Sequence, residues 1–186
     1  MLQKSFTDRM RTLLGEEYEA FIAAMESEPV RGLRLNKIKC REGYLLPEEF
    51  KTEPLPYMDN GYILREGDGI GLTPEHHAGM IYMQDPGAMA TVNAVRLPRG
   101  AWVLDSCSAP GGKTTQLAAL CRPNGGAVVA NEYVSARSRI LAGNVERMGL
   151  DNVAVTNVDT KYLAEWYPAF FDLAVADAPC SGEGMF

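Results

Sequence analysis

The chain has 186 residues, a net charge of −6 and 46% hydrophobic residues, enough for one sizeable core or for a small domain plus most of another. No apolar run approaches the roughly 18 residues needed to span a bilayer and no charged-then-apolar leader opens the sequence, so a cytoplasmic protein with no membrane partner is expected. Four cysteines stand singly, at Cys40, Cys107, Cys121 and Cys180, which argues against a CxxC metal centre or a disulfide framework and predicts no metal.

Met10, Leu13, Leu14, Tyr18, Phe21, Ile22 and Met25 recur at intervals of three and four, predicting one or two amphipathic helices broken near Gly15 and closed by Pro29. From Val30 to about Gly71 the pattern shortens to brief β-type runs, RGLRLN, GYLL and GYILRE, separated by Pro and Gly. A helix follows with Thr73 as N-cap and Pro74 at its first position, continuing through HHAGMIYM, and a second starts at Asp85-Pro86. From Trp102 the rhythm becomes strand, turn, helix, repeated: WVLD then GGKTTQLAALC, AVVAN then VSARSRILAGNVERMG, NVAVTN then KYLAEWYPAF, and finally DLAVAD. Such alternation predicts a parallel sheet with crossover helices. The expected organisation is a small α+β module over 1–72, connecting helices over 73–100, and from 101–186 an α/β core of Rossmann-like type.

In open α/β sheets a ligand sits beyond the carboxyl ends of the strands. Here each predicted strand runs into an acid: Asp105, Glu132, Asp159 and Asp177. The turn Ser108, Ala109, Pro110, Gly111, Gly112, Lys113 after the first of these strands lets backbone approach a ligand and opens a helix with free N–H groups. A nucleoside-triphosphate loop would need Gly six positions before Lys113, where Cys107 stands. Glu132 is placed to accept ribose hydroxyls, Asp159 an adenine amino group, and Lys113 to pair with a carboxylate. S-adenosylmethionine has all these parts. Any one strand-end acid is more often a turn former or helix cap, but four in succession beside a Gly-rich turn favour a cofactor.

Asp177-Ala178-Pro179-Cys180 then brings a thiol to the end of the fourth strand. A reaction that needs both S-adenosylmethionine and a thiol is methylation of a pyrimidine at carbon 5, which becomes nucleophilic only after a thiolate adds at carbon 6. The run VRGLRLNKIKCR carries Arg31, Arg34, Lys37 and Lys39 without an acid, and such a basic face in an otherwise acidic chain suits RNA phosphates. His76 and His77 have no companion ligand set and are read as surface or packing residues.

These residues resemble the Sun-type (Nol/Nop/Sun) family of RNA cytosine-5 methyltransferases, above all its bacterial ribosomal branch, from PVRGLRLN and YMQDPGAM through DSCSAPGGKTTQLAAL to DAPCSGEGMF. The resemblance implies a class I S-adenosylmethionine-dependent methyltransferase core, incomplete at its C-terminus. It implies cofactor contacts from the turn Ser108 to Lys113, Glu132, Arg137, Asp159 and Asp177, with Asp177 also near the target base. RNA of the small ribosomal subunit would be the partner, held in part by the N-terminal segment; transfer RNA, or a non-catalytic RNA-binding role on the same scaffold, are the alternatives. In this family the nucleophile is a second cysteine in a Thr-Cys segment after the next strand, and the Cys180 position assists adduct release. The given chain lacks that segment, so it is expected to bind cofactor weakly without turning over; the competing reading makes Cys180 itself the nucleophile. The usual strand order would also leave the fourth strand with an open edge, predicting self-association or a helical cover.

Overall fold

The computed structural model describes residues 3–179, and Cys180, with its expected part in adduct release, lies outside the described residues. Two units emerge, residues 1–29 with 178–186 and residues 30–177. In the first, α1 (Lys4–Leu14) and α2 (Tyr18–Glu26) are separated by a single 3-10 turn that starts at Gly15, whose φ of 53° ends the first helix. Phe6 and Phe21 pack with ring centroids 6.2 Å apart, and the Arg11 guanidinium lies 4.6 Å from the Tyr18 ring.

The second unit holds two sheets. The antiparallel one has the order β2-β3-β1-β4, formed by β1 (Arg31–Leu35), β2 (Lys51–Leu55), β3 (Met58–Glu66) and β4 (Ile81–Met83). Its apolar face buries Leu33, Leu35, Phe50, Leu64, Ile70 and Ile81. Two of these strands depart from expectation. The run GYLL at 43–46 is not a strand, and β2 forms instead at the sheet edge, where Pro54 is tolerated because a missing N–H can face away from the ladder. The helix capped by Thr73 does form, as α3 (Pro74–His77), with the Thr73 hydroxyl accepting from the His76 N–H, but it does not continue through HHAGMIYM. Gly79, at φ 71°, stops it, and Ile81 to Met83 become β4, paired with β1. Asp85 caps α4 (Pro86–Asn93) through Ala88 N–H at 2.9 Å, as the Asp-Pro start predicts.

The parallel sheet has the order β7-β6-β5-β8, from β5 (Trp102–Asp105), β6 (Ala127–Asn131), β7 (Val153–Thr156) and β8 (Leu173–Val175). Its crossovers carry α5 (Gly112–Cys121), α6 (Ser135–Met148) and α7 (Thr160–Trp166). Val103 and Val128 from the sheet and Leu117 and Leu141 from the helices are fully buried in one core. The strand order reverses direction between β5 and β8, and loops diverging from such a switch point leave a crevice.

Candidate functional site

A cavity of about 240 Å³ opens at that point, lined among others by Asp105, Cys107, Ser108, Ala109, Pro110, Gly112, Lys113 and Asp177. The loop between β5 and α5 is fixed from several directions. Ser108 donates its N–H to the Asn131 carbonyl at 2.9 Å and its hydroxyl to the Asp105 carbonyl at 2.7 Å. Asn144 of α6 donates to the Pro110 carbonyl at 2.8 Å, and Arg137 to the Ala109 carbonyl at 2.7 Å. Gly111, at φ 113°, holds a conformation that favours glycine, and an added Cβ would lie 3.2 Å from Leu141 Cδ1, a side-chain end that would have to shift slightly.

Of the four charged residues that line the cavity among those described, Asp85 caps α4 and the other three, Asp105, Lys113 and Asp177, shape its chemistry. Lys113 Nζ lies 2.6 Å from Asp177 Oδ2, joining the start of α5 to the segment after β8. Asp105 is 1% exposed; its Oδ2 accepts from the Thr114 hydroxyl at 2.6 Å, while Oδ1 has no partner among the described residues. Burial pushes the Asp105 carboxyl above its ordinary value, against the pull of Thr114 and Lys113. A raised folded-state pKa means that the folded chain holds this proton more tightly than the unfolded one. Stability from this group therefore falls as pH rises from 3.8 through the folded value, and the penalty is full above it. Asp105→Asn should accordingly melt no lower than the wild type at pH 7, with the difference vanishing below about pH 4; a clearly lower melting temperature at pH 7 in calorimetry would show that Lys113 outweighs desolvation.

The other expected contacts are distributed unevenly. Glu132, 4% exposed at the end of β6, accepts from Val134 N–H at 3.0 Å through Oε1, and its Oε2 stands 3.5 Å from Arg137 Nη1. Arg137 thus bridges Glu132 to the Ala109 turn. Asp159 caps α7 through Lys161 N–H at 3.0 Å and lines a neighbouring open cleft with Tyr133, Asn157, Tyr162 and Trp166. Two residues that sequence reasoning did not select, Tyr82 and Gln84, enter the first cavity from β4 and the residue after it. From the sequence Tyr82 reads as the end of a helix, and both residues enter that reading only within the YMQDPGAM motif of the family resemblance.

The basic run is the largest departure. Arg34, expected on an RNA-facing surface, is 1% exposed and cannot meet a phosphate in solution. β1 is buried on both faces from Gly32 to Leu35, and three acceptors, Gln84 Oε1, Thr115 Oγ1 and the Gly112 carbonyl, satisfy the guanidinium in the interior. Arg31 and Lys37 do reach the surface, where they pair with Asp68 at 3.0 Å and Asp59 at 2.6 Å. Lys39 donates to the carbonyls of Ala78 and Arg147.

Sheet order, the glycine turn at the carboxyl end of β5 and the acids around it define a Rossmann-like core of the methyltransferase type. A family model described as 16S rRNA methyltransferase RsmB/F matches residues 92–186, and one described as the N-terminal domain of 16S rRNA methyltransferase RsmF matches residues 2–86. The chain belongs to the RsmB/F family. It is similar to proteins named ribosomal RNA small subunit methyltransferase F. The one from Vibrio parahaemolyticus is 37% identical over 97% of this chain, and the one from Aliivibrio salmonicida 42% identical over 89%. The chain spans 40% and 37% of the lengths of these two relatives. Among solved structures, a methyltransferase homologue from Pyrococcus horikoshii superposes with a TM-score of 0.81 at 31% identity, over 97% of this chain and 60% of that one.

Proposed function

We propose that residues 101–186 form the N-terminal part of a methyltransferase domain that binds S-adenosylmethionine and serves the methylation of cytosine C5 in RNA of the small ribosomal subunit, in the cytoplasm. The observation that carries the reading is the cavity at the β5–β8 switch point, whose residues suit this cofactor. Asp105 Oδ1 is a buried acceptor without a partner among the described residues, suited to a donor such as an α-amino group. Lys113 supplies a cation for a carboxylate, and the Asp105 and Asp177 carboxylates suit a positive sulfonium. Glu132 at the end of β6 is the residue for ribose hydroxyls. The bound cofactor would supply an electrophilic methyl group. The chain's own part is to hold that group beside Asp177, which leads directly into Ala178-Pro179-Cys180. Family membership supports the RNA substrate, and the placement of Cys180 in adduct release rests on the resemblance of DAPCSGEG.

Calorimetric titration of the 186-residue chain with S-adenosylmethionine tests the reading. Saturable one-to-one binding is expected, with no methyl transfer to small-subunit RNA by this chain alone. A folded chain that shows no heat of binding at millimolar cofactor, about 4 kcal/mol of affinity or less, would overturn the cofactor assignment; transfer by the chain alone would overturn the division of labour.

A further inference from the structure

The mechanism above has no use for the most deeply buried cation of the molecule. Arg34 stands in the middle of β1, and its guanidinium donates from Nε to Gln84 Oε1 at 3.2 Å and from Nη2 to Thr115 Oγ1 at 2.7 Å and to the Gly112 carbonyl at 3.3 Å. The Tyr82 ring lies 5.5 Å from its Cζ. Burial brings its pKa down to about 10, so it stays cationic at neutral pH. Packing alone does not call for such a group, because a well-fitted apolar side chain in place of a buried ion is often neutral or stabilising. What distinguishes arginine here is the set of atoms it fixes.

Gly112 and Thr115 belong to the first turn of α5, and Gly112 and Lys113 of that turn line the cavity. Gln84 also lines the cavity. Because its Oε1 faces Arg34, its Nε2 must face the other way, where it donates to Gln116 Oε1 at 3.1 Å; Gln116 Nε2 then donates to the Met89 carbonyl at 2.9 Å. One cation therefore sets the polarity of a buried chain that runs from β1 through α5 to α4. It starts on the antiparallel sheet and passes through Gln84, a residue of the cavity wall.

We infer that Arg34 is a positioning residue for the cofactor cavity: from β1 it holds the first turn of α5 and the amide of Gln84 in the arrangement that presents Lys113 and the glycine turn to the ligand. The inference rests on the proposed reading of that cavity as an S-adenosylmethionine site. It makes the N-terminal antiparallel sheet a component of that site, whatever RNA its outer face meets.

The test compares the wild-type chain with Thr115→Val, Arg34→Met, Arg34→Lys and the Arg34→Met/Thr115→Val pair, each at a temperature where circular dichroism shows it folded. Arg34→Met is expected to raise the Kd for S-adenosylmethionine about tenfold or more and Arg34→Lys less, since lysine keeps the charge but cannot serve three acceptors. Thr115→Val should raise it about threefold to tenfold alone and add little in the Arg34→Met background, the non-additivity of two groups acting through one contact. A Kd within about twofold of the wild type in every folded single variant overturns the inference. If Arg34→Met does not fold, Thr115→Val decides alone. Hydrogen exchange gives a readout without cofactor: the amides of Thr115 and Gln116 should exchange about tenfold faster in the variants while Val128 to Ala130 stay unchanged. A wild-type chain that does not bind S-adenosylmethionine defeats the functional reading, and the exchange comparison still decides whether Arg34 positions the turn: equal rates overturn that as well.

Discussion

Gly79→Ala is expected to destabilise the chain by about 3 kcal/mol or more, the largest stability loss of any single methyl group added here. At φ 71° an L-residue is in the left-handed region, and the added Cβ would lie 1.9 Å from the Arg147 carbonyl oxygen and 2.7 Å from its carbon. These are backbone atoms, so no rotamer change relieves the clash. The surroundings are also fully committed: the Gly79 carbonyl accepts from Asn36 Nδ2 at 2.8 Å, and the same amide nitrogen donates to the Met148 carbonyl. Arg147 itself reaches back to the carbonyls of His76 and Ile81. Relaxing the methyl would pull at α3, β4 and the end of α6 together. At a urea m-value of about 2 kcal/mol/M the midpoint should fall by about 1.5 M; a fall of less than about 0.5 M would mean that this junction yields far more easily than its backbone contacts imply.

Glu132→Ala should have the largest effect on cofactor affinity, a rise in Kd of about 100-fold, as expected for the loss of two hydrogen bonds to a charged acceptor at about 1.5 kcal/mol each. The carboxylate is buried and its position is set by Val134 N–H and Arg137, so it is organised before any ligand arrives. Asp159→Ala provides the contrast. Its carboxylate already caps α7, and its removal should cost about 1 kcal/mol of stability whether or not adenine is bound. Titration calorimetry and thermal melting on both variants separate the roles; equal, small losses of affinity would remove Glu132 from the site.

The parallel half of the fold was legible because each strand announces its end with an acid, and because Gly111 and Gly112 mark the only place where backbone must turn sharply into a helix after β5. The antiparallel half was harder to read for identifiable reasons. Pro54 disguises β2, although an edge strand accommodates it. Three apolar residues, Ile81 to Met83, fit the end of a helix as well as a short buried strand, and only the pairing with β1 distinguishes them. At the site, sequence identifies which residues carry charge but not which partner each charge has already found. Asp105, Glu132 and Asp177 were visible as strand-end acids, whereas the burial of Arg34 depends on Gln84 and Thr115, which are 50 and 81 residues away in the chain. Likewise the surface pairs of Arg31 with Asp68 and Lys37 with Asp59 turn an apparently basic run into a balanced one.

Asp177 brings an acid to the cavity on a strand with a slender hold. Among the described residues β8 pairs with β5 alone, through Leu173, Ala174 and Val175, and none of the three side chains is fully buried. It reaches that place only after the chain has travelled through β6 and β7, so closing the β5–β8 ladder carries the highest loop entropy in the parallel sheet. Such a segment is expected to open locally before the rest of the sheet, against the bonds that Asp172 makes with Trp102 and that Ser106 makes with the Val175 carbonyl. Each opening would take Asp177 from Lys113 and leave that ammonium free to meet the carboxylate of an incoming ligand. Slower exchange of the Val175 amide with cofactor bound would record the re-forming of that ladder.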